Sequence, residues 1–269
     1  MDWMTKALAA EYDYISPSGA SEIRLLPSFE QGELAHATAL PDKPSNAATL
    51  TGIGELFYIL SGNGELWRAT GSLQHVVPLN PGRCVSLPPG IDYQYRAITA
   101  AMTFVVLTVP RWERELIREA GRRYWNKDGA VIATAANRPG PWVTTDLPEN
   151  YHYLAPDGSE IRLLASFDAG GLAHCRLPAG KISGPVRHRT VKEIWYVVSG
   201  HGEVWRADGV HEEIVTIEPA MCLTIPTGAS FQFRTVGDDA LEMVIATLPA
   251  WPGASEAVPV RGCWTMTAA

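Results

Sequence analysis

The sequence predicts an all-β chain in which two similar antiparallel barrels follow one another. Three observations carry that reading. First, a long internal repeat runs through the chain. Glu-Ile-Arg-Leu-Leu at 22–26 returns at 160–164, Leu-Ala-His at 34–36 returns at 172–174, and Ser-Gly-x-Gly-Glu at 61–65 returns at 199–203. All keep one offset of 138 residues, and Trp3, Tyr12 and Tyr14 match Trp142, Tyr151 and Tyr153 at 139. A repeat this long with almost no insertion means two domains of one fold. Second, residues 214–217, 222–225 and 243–246 are short apolar runs separated by Gly, Pro, Asp and Asn, the pattern of strands and turns. Third, Ser-Gly-x-Gly between two such runs is a hairpin signal, because glycine supplies the positive φ of tight hairpin turns. Many short strands with regular turns suggest a sandwich or a small barrel.

The elements follow in order. Residues 5–10 have helix-forming composition and read as a covering segment ahead of the first barrel. The first barrel spans 1–110. Residues 111–120 are charged and good helix formers, and residues 126–140 read as a loop, so 111–140 is expected to be a short helical linker. The second barrel spans 141–269. Cys84, Cys175, Cys222 and Cys263 form no CxxC pair and read as buried thiols of a reducing compartment.

Bulk properties narrow the function. Hydrophobic residues make up 46% and charged residues 19%, which marks a globular chain and not a disordered one. A net charge of −7 argues against nucleic acid held by a general basic field. No apolar run approaches the roughly 18 residues that span a membrane. The N-terminus lacks the basic start and apolar stretch of a signal peptide, so a cytoplasmic location is expected. The expected partner is a small organic molecule or a sugar, with the chain a monomer or a homodimer.

The stretch from His188 to Arg206 is the one place where residue spacing suggests a built site. It holds Gly180, His188, Glu193 and Gly200, and Pro226-Thr227-Gly228 follows. Each half resembles a cupin, a small antiparallel barrel often duplicated into a bicupin. That family's first motif is a glycine, HxH, a Glu three or four residues later and a glycine turn, and its second is PxG followed by a further His. The resemblance implies jelly-roll barrels and, in typical members, three His and one Glu holding iron, manganese or another divalent metal.

This sequence departs from the motif. Thr190 stands where the second His belongs, the gap to Glu193 is one residue short, and Phe231 takes the place of the motif-two His. The first half has lost more: Leu50, Gly52 and Tyr93 replace His188, Thr190 and Phe231, and only Glu55 remains opposite Glu193. A catalytic transition metal needs about three protein ligands. Here only His188 and Glu193 match, so the leading reading requires no cofactor. A divalent Fe, Mn, Ni or Zn in the second barrel is the alternative. A third ligand would have to come from elsewhere, and His174 is the candidate. Strand alternation turns Ala173, Cys175 and Leu177 inward and His174 outward, and its twin His36 lies in the half without His188, which favours a structural role.

Without a metal, a His near neutral pH can still carry a proton, and a carboxyl in an apolar barrel is tuned toward acid or base work. The expectation is therefore proton-transfer catalysis, of the isomerase, epimerase, cyclase or lyase type, by His188 and Glu193. Trp195, Thr190, Phe231, Phe233 and Gln232 are the expected substrate contacts. A non-catalytic small-molecule binder and a metal-dependent dioxygenase are the other readings. The bland alternative for each residue is structural: Glu193 held by a neighbour like its twin Glu55, aromatics at alternate positions forming core, and Arg187 and Arg189 solvated. Trp67-Arg68 and Trp205-Arg206, Gln94 with Arg96, and Gln232 with Arg234 occur in both halves, which suits parts of the barrel itself.

Overall fold

The computed structural model describes residues 3–267 except 42, 99, 114–115, 134–137 and 139. It divides into two compact units, Ala9–Asp146 and Leu147–Ala269, the second joined by the N-terminal residues through Leu8. Each unit is a seven-stranded sheet facing a five-stranded one, with every strand pair antiparallel, as expected of a tandem of barrels.

In the C-terminal unit the larger sheet runs Thr5–Ala7, Met221–Ile225, Lys192–Ser199, Leu241–Leu248, Gly170–Leu177, Glu160–Phe167 and Tyr153–Leu154. The smaller runs Glu212–Ile217, His201–Ala207, Ser230–Val236, Val186–His188 and Ala257–Pro259. The N-terminal unit repeats this order strand for strand, from Thr144–Asp146 and Arg83–Leu87 through Tyr14–Ile15, and from Leu73–Leu79 through Ile117–Glu119. Alternate residues of the facing sheets meet as the core, among them Trp195, Val197, Leu223, Phe233 and Met243 in one unit and Phe57, Leu66, Val85 and Phe104 in the other. Each such burial contributes about 1.5–3 kcal/mol.

The unit boundaries differ from those the repeat predicts. The edge strand of each larger sheet comes from the far end of the sequence: Thr5 pairs with Leu223, and Thr144 pairs with Val85. A buried arginine fixes each one. Arg206 donates to the Met4 and Thr224 carbonyls, and Arg68 to the Ser86 and Val143 carbonyls and the Thr144 hydroxyl. The duplicated Trp-Arg dipeptides are thus strand clamps.

Where they are described, the expected helices are replaced by short strands, with Leu116 in a 3-10 turn ahead of the second. Thr5–Ala7 is the edge strand just described, and Ile117–Glu119 pairs with Ala48–Leu50. Residues 114–115 of the expected 111–120 helix, and 134–137 and 139 of the expected loop, lie outside the described residues. Helix propensity is a weak prior, and here an open sheet edge and the apolar patch under Trp112, Leu116 and Ile117 override it. The segment is not a linker at all. Trp112 and Trp125 correspond to Trp251 and Trp264, so it is the first unit's copy of the strap that ends the second. Gln94 grips the backbone at Trp125, and Gln232 grips it at Trp264. Arg96 and Arg234 stack on the same two indoles at 4.6 Å.

Gly200 turns the Ser-Gly-x-Gly hairpin with φ +77°, and a Cβ there would run into the Ala240 carbonyl. Cys84, Cys175 and Cys222 are buried thiols, whereas Cys263, expected to be buried, is exposed. Among the described residues no helix is long and apolar enough to cross a membrane.

Candidate functional site

The two barrels differ in what their interiors hold. The C-terminal barrel encloses a cavity of about 280 Å³. The matching space in the N-terminal barrel is about 60 Å³. Paired substitutions change the polar lining of the two spaces. In the N-terminal barrel Tyr95 donates to or accepts from the Ser18 and Ser21 hydroxyls, and Tyr93 stacks beside it and bonds Glu55. In the C-terminal barrel Phe231 and Phe233 stand in place of these tyrosines, and Asp157 in place of Ser18. Two phenol hydroxyls are gone, and with them the bonds that the first barrel makes to Glu55 and to Ser18 and Ser21.

His188 ends the short strand Val186–His188, which is held between Ser230–Val236 and Ala257–Pro259. Its ring lies edge-on to Phe231 and Trp251, each at 5.1 Å, and is only 4% exposed. Its Nδ1 is buried without a hydrogen-bond partner and stands 3.9 Å from Glu193 Oε1. Glu193 opens the strand Lys192–Ser199, so Trp195 lies two residues on and faces the same side. Trp195 Nε1 donates to Glu193 Oε2 at 2.8 Å, and its indole packs edge-on to Phe231 and Phe233. Burial pushes the Glu193 carboxyl up, and His188 beside it offsets part of that rise.

Five of the expected site residues therefore share one cavity: His188, Glu193, Trp195, Phe231 and Phe233. Two do not. Thr190 is exposed on a bend, and its amide and hydroxyl bond the Glu256 carboxylate. The strand ends at His188, so the alternation that was to turn Thr190 inward stops before reaching it. Gln232 points away from the cavity. Its amide bonds the Ser183 carbonyl and the backbone of Trp264, which is the strap role its twin Gln94 predicts. Arg187 and Arg189 are exposed. His174 is buried on the outer face, with Nε2 3.6 Å from Glu242, in a surface pocket with Arg162 and Arg176.

Sequence reasoning missed Asp157, Tyr153 and Trp251, which also line the cavity, as does Cys175, which strand alternation turns inward. Asp157 Oδ1 accepts from the Ser159 amide at 2.9 Å and its hydroxyl at 2.7 Å, and burial pushes the carboxyl up. Its signal was present in the repeat, as an acid where the first half has Ser18. Burial pushes the Cys175 thiol up, which leaves it unreactive. Glu256 is held low: burial alone would raise it, but the Thr190 and Val191 amides outweigh that.

The donor set does not fit a catalytic metal. Among the described residues no three His, Cys, Asp or Glu side chains converge as metal ligands. His188, Glu193 and Asp157 all line the cavity, but they do not close around one point as the three protein ligands such a site needs. Phe231, at the motif-two His position, presents a phenyl edge to His188.

Residues 173–247 match the family model described as a cupin domain. No curated protein matches the chain. Among solved structures, oxalate decarboxylase from Bacillus subtilis at pH 4.6 has a TM-score of 0.74 at 12% identity, covering 96% of this chain and 78% of that one. Another structure of that enzyme, described by its Mn(II) centers, has a TM-score of 0.71 at 13% identity and covers 96% and 79%. At these identities the likeness is one of fold.

Proposed function

We propose that this chain, a double-barrelled member of the cupin superfamily, is an enzyme that moves protons on a small, mostly apolar organic molecule in its C-terminal barrel. The reaction class is isomerase, epimerase, cyclase or lyase. One observation carries the reading: a buried imidazole nitrogen without a partner faces a buried carboxyl at the wall of an aromatic cavity. Buried titratable groups are costly to keep unless a ligand completes them.

His188 is the proton carrier, and its ring is steadied by the edges of Phe231 and Trp251. Glu193 sits with its proton affinity raised by burial, which favours its holding a proton and exchanging it with substrate or with His188. Trp195 fixes the far oxygen of Glu193 and leaves the near one toward His188. Trp195, Phe231 and Phe233 form the apolar wall and limit water at the reacting atoms.

Decarboxylation is a lyase reaction, so the chemistry named for the structural neighbours lies inside this class. Oxalate itself suits the cavity poorly, because Asp157 and Glu193 line it and no Lys or Arg does among the described residues.

A substrate screen of wild type against His188→Ala and Glu193→Gln tests the proposal. The expected result is turnover lost by about 100-fold or more in His188→Ala, as for loss of a general acid or base. Unchanged turnover in that variant overturns His188 as the proton carrier. Binding without turnover of any bound compound makes the chain a binding protein. Near-stoichiometric iron, manganese, nickel or zinc that disappears with His188→Ala replaces the metal-free reading.

A further inference from the structure

The polar groups of the C-terminal cavity are unbalanced. Two donors at its wall, the Ser159 hydroxyl and the Trp195 indole N–H, already bond carboxylate oxygens, Asp157 Oδ1 and Glu193 Oε2, and the remaining side-chain hydroxyls of the lining, on Tyr153, Ser166 and Thr247, are neutral. Two carboxyls each keep a second oxygen, and Nδ1 of His188, 96% buried, has no partner. These are sites for a donor, and no lining Lys or Arg supplies a positively charged one among the described residues. The walls around them are the faces and edges of Trp195, Phe231, Phe233 and Trp251, and aromatic faces attract cations.

We propose that the ligand of this cavity is an organic cation: a small apolar molecule bearing a protonated amine, received by Asp157, Glu193 and His188 within the aromatic wall. The proposal rests on the reading of this cavity as the substrate site and names the chemical class that fills it. An ammonium group offers N–H donors and one positive charge to a cavity wall that carries two acids and an imidazole acceptor. His188 in its neutral form with the proton on Nε2 accepts through Nδ1, the nitrogen that faces Glu193.

The pairing has a consequence for pH. The groups facing the two carboxyls are His188, Glu256, Tyr153 and Cys175. Glu256 is bound to the 190–191 loop amides, so it adds negative charge without offering a donor. Burial favours protonated Asp157 and Glu193 in the empty cavity. A cation binds their ionised forms and competes with those protons, so its affinity rises with pH until the amine itself loses its proton.

Three isosteric probes decide the matter by calorimetric titration of the full chain: benzylamine, benzyl alcohol and benzoate. The expected order is benzylamine about tenfold tighter than benzyl alcohol, with benzoate not binding, as a charge-assisted and cation–π contact requires. Benzylamine affinity is expected to rise between about pH 5 and about pH 8 while that of the alcohol stays flat. Glu193→Gln and Asp157→Asn are each expected to narrow the gap between amine and alcohol. Asn keeps the acceptor that the Ser159 turn uses, and Glu193→Gln gives an independent arm should Asp157→Asn melt early. Equal affinity for amine and alcohol, or a preference for benzoate, overturns the cation and leaves the cavity as a site. An amine preference untouched by either substitution also overturns the proposal. Failure of all three probes overturns both this class and the cavity reading beneath it.

Discussion

Glu55→Gln measures what the N-terminal barrel sacrifices to keep its carboxyl. Glu55 is buried among Phe57, Tyr93 and Phe104, and burial lifts it from an ordinary 4.5 to about 7, with the Tyr93 hydrogen bond offsetting a part. Its folded pKa therefore lies above its unfolded value. Folding favours the protonated form, so the full stability is present below about pH 4.5. It declines through the window from 4.5 to about 7, and above that the loss is complete. A rise from 4.5 to about 7, at about 1.4 kcal/mol per pH unit, places that loss at about 3 kcal/mol. Glutamine has the same shape and no charge, so it removes the pH dependence. Any fixed offset from its amide is the same at every pH. Urea unfolding of wild type and variant at steps from pH 4.5 to 8, read by pulsed deuterium labelling so that the two units are followed separately, gives the difference. The variant is expected to gain about 3 kcal/mol on wild type across the window, in the N-terminal unit alone. A difference that stays flat with pH refutes the reasoning.

Three further outcomes follow from the same structure. Gly209→Ala, at φ +90° with no atom within 4 Å of the added methyl, is expected to destabilise by about 1 kcal/mol. Gly200→Ala, which also meets the Ala240 carbonyl, is expected to lose about 3 kcal/mol or more, and equal losses would remove the close-approach argument. Arg206→Met keeps the apolar stem but deletes the bonds to the Met4 and Thr224 carbonyls. Deuterium exchange at Thr5–Ala7 is expected to accelerate, and unchanged protection refutes the clamp. Trp195→Phe removes the indole N–H that donates to Glu193 Oε2, so the Glu193 carboxyl is expected to titrate still higher by carbon-13 NMR; a fall or no change contradicts that bond.

Much of this was legible because the chain carries its own control. The repeat specifies two all-β units and assigns Trp-Arg, Gln-x-Arg and the glycine hairpin to the framework, and the clamps at Arg68, Arg206, Gln94 and Gln232 are what those duplicated residues do. What stayed hidden is non-local. Residues 5–7 and 117–119 have no strong alternation, and they become strands only because a sheet edge elsewhere needs a partner. Thr190 was misplaced for a related reason, since period-two alternation says nothing about where a strand stops.

The same comparison explains where the site lies and why only one barrel has it. Both barrels bury a glutamate at one position, Glu55 and Glu193, and burial raises both. In the first, the Tyr93 hydroxyl satisfies the acid and Tyr95 closes the space with Ser18 and Ser21, so nothing remains for a ligand to complete. In the second, phenylalanines remove those hydroxyls, Asp157 adds an acid, and His188 replaces Leu50 with a nitrogen that has no partner. Together these changes bury titratable groups with fewer partners, a direction that stability alone does not favour. A position changed against stability in one copy, and left satisfied in the other, is where binding or chemistry is to be sought.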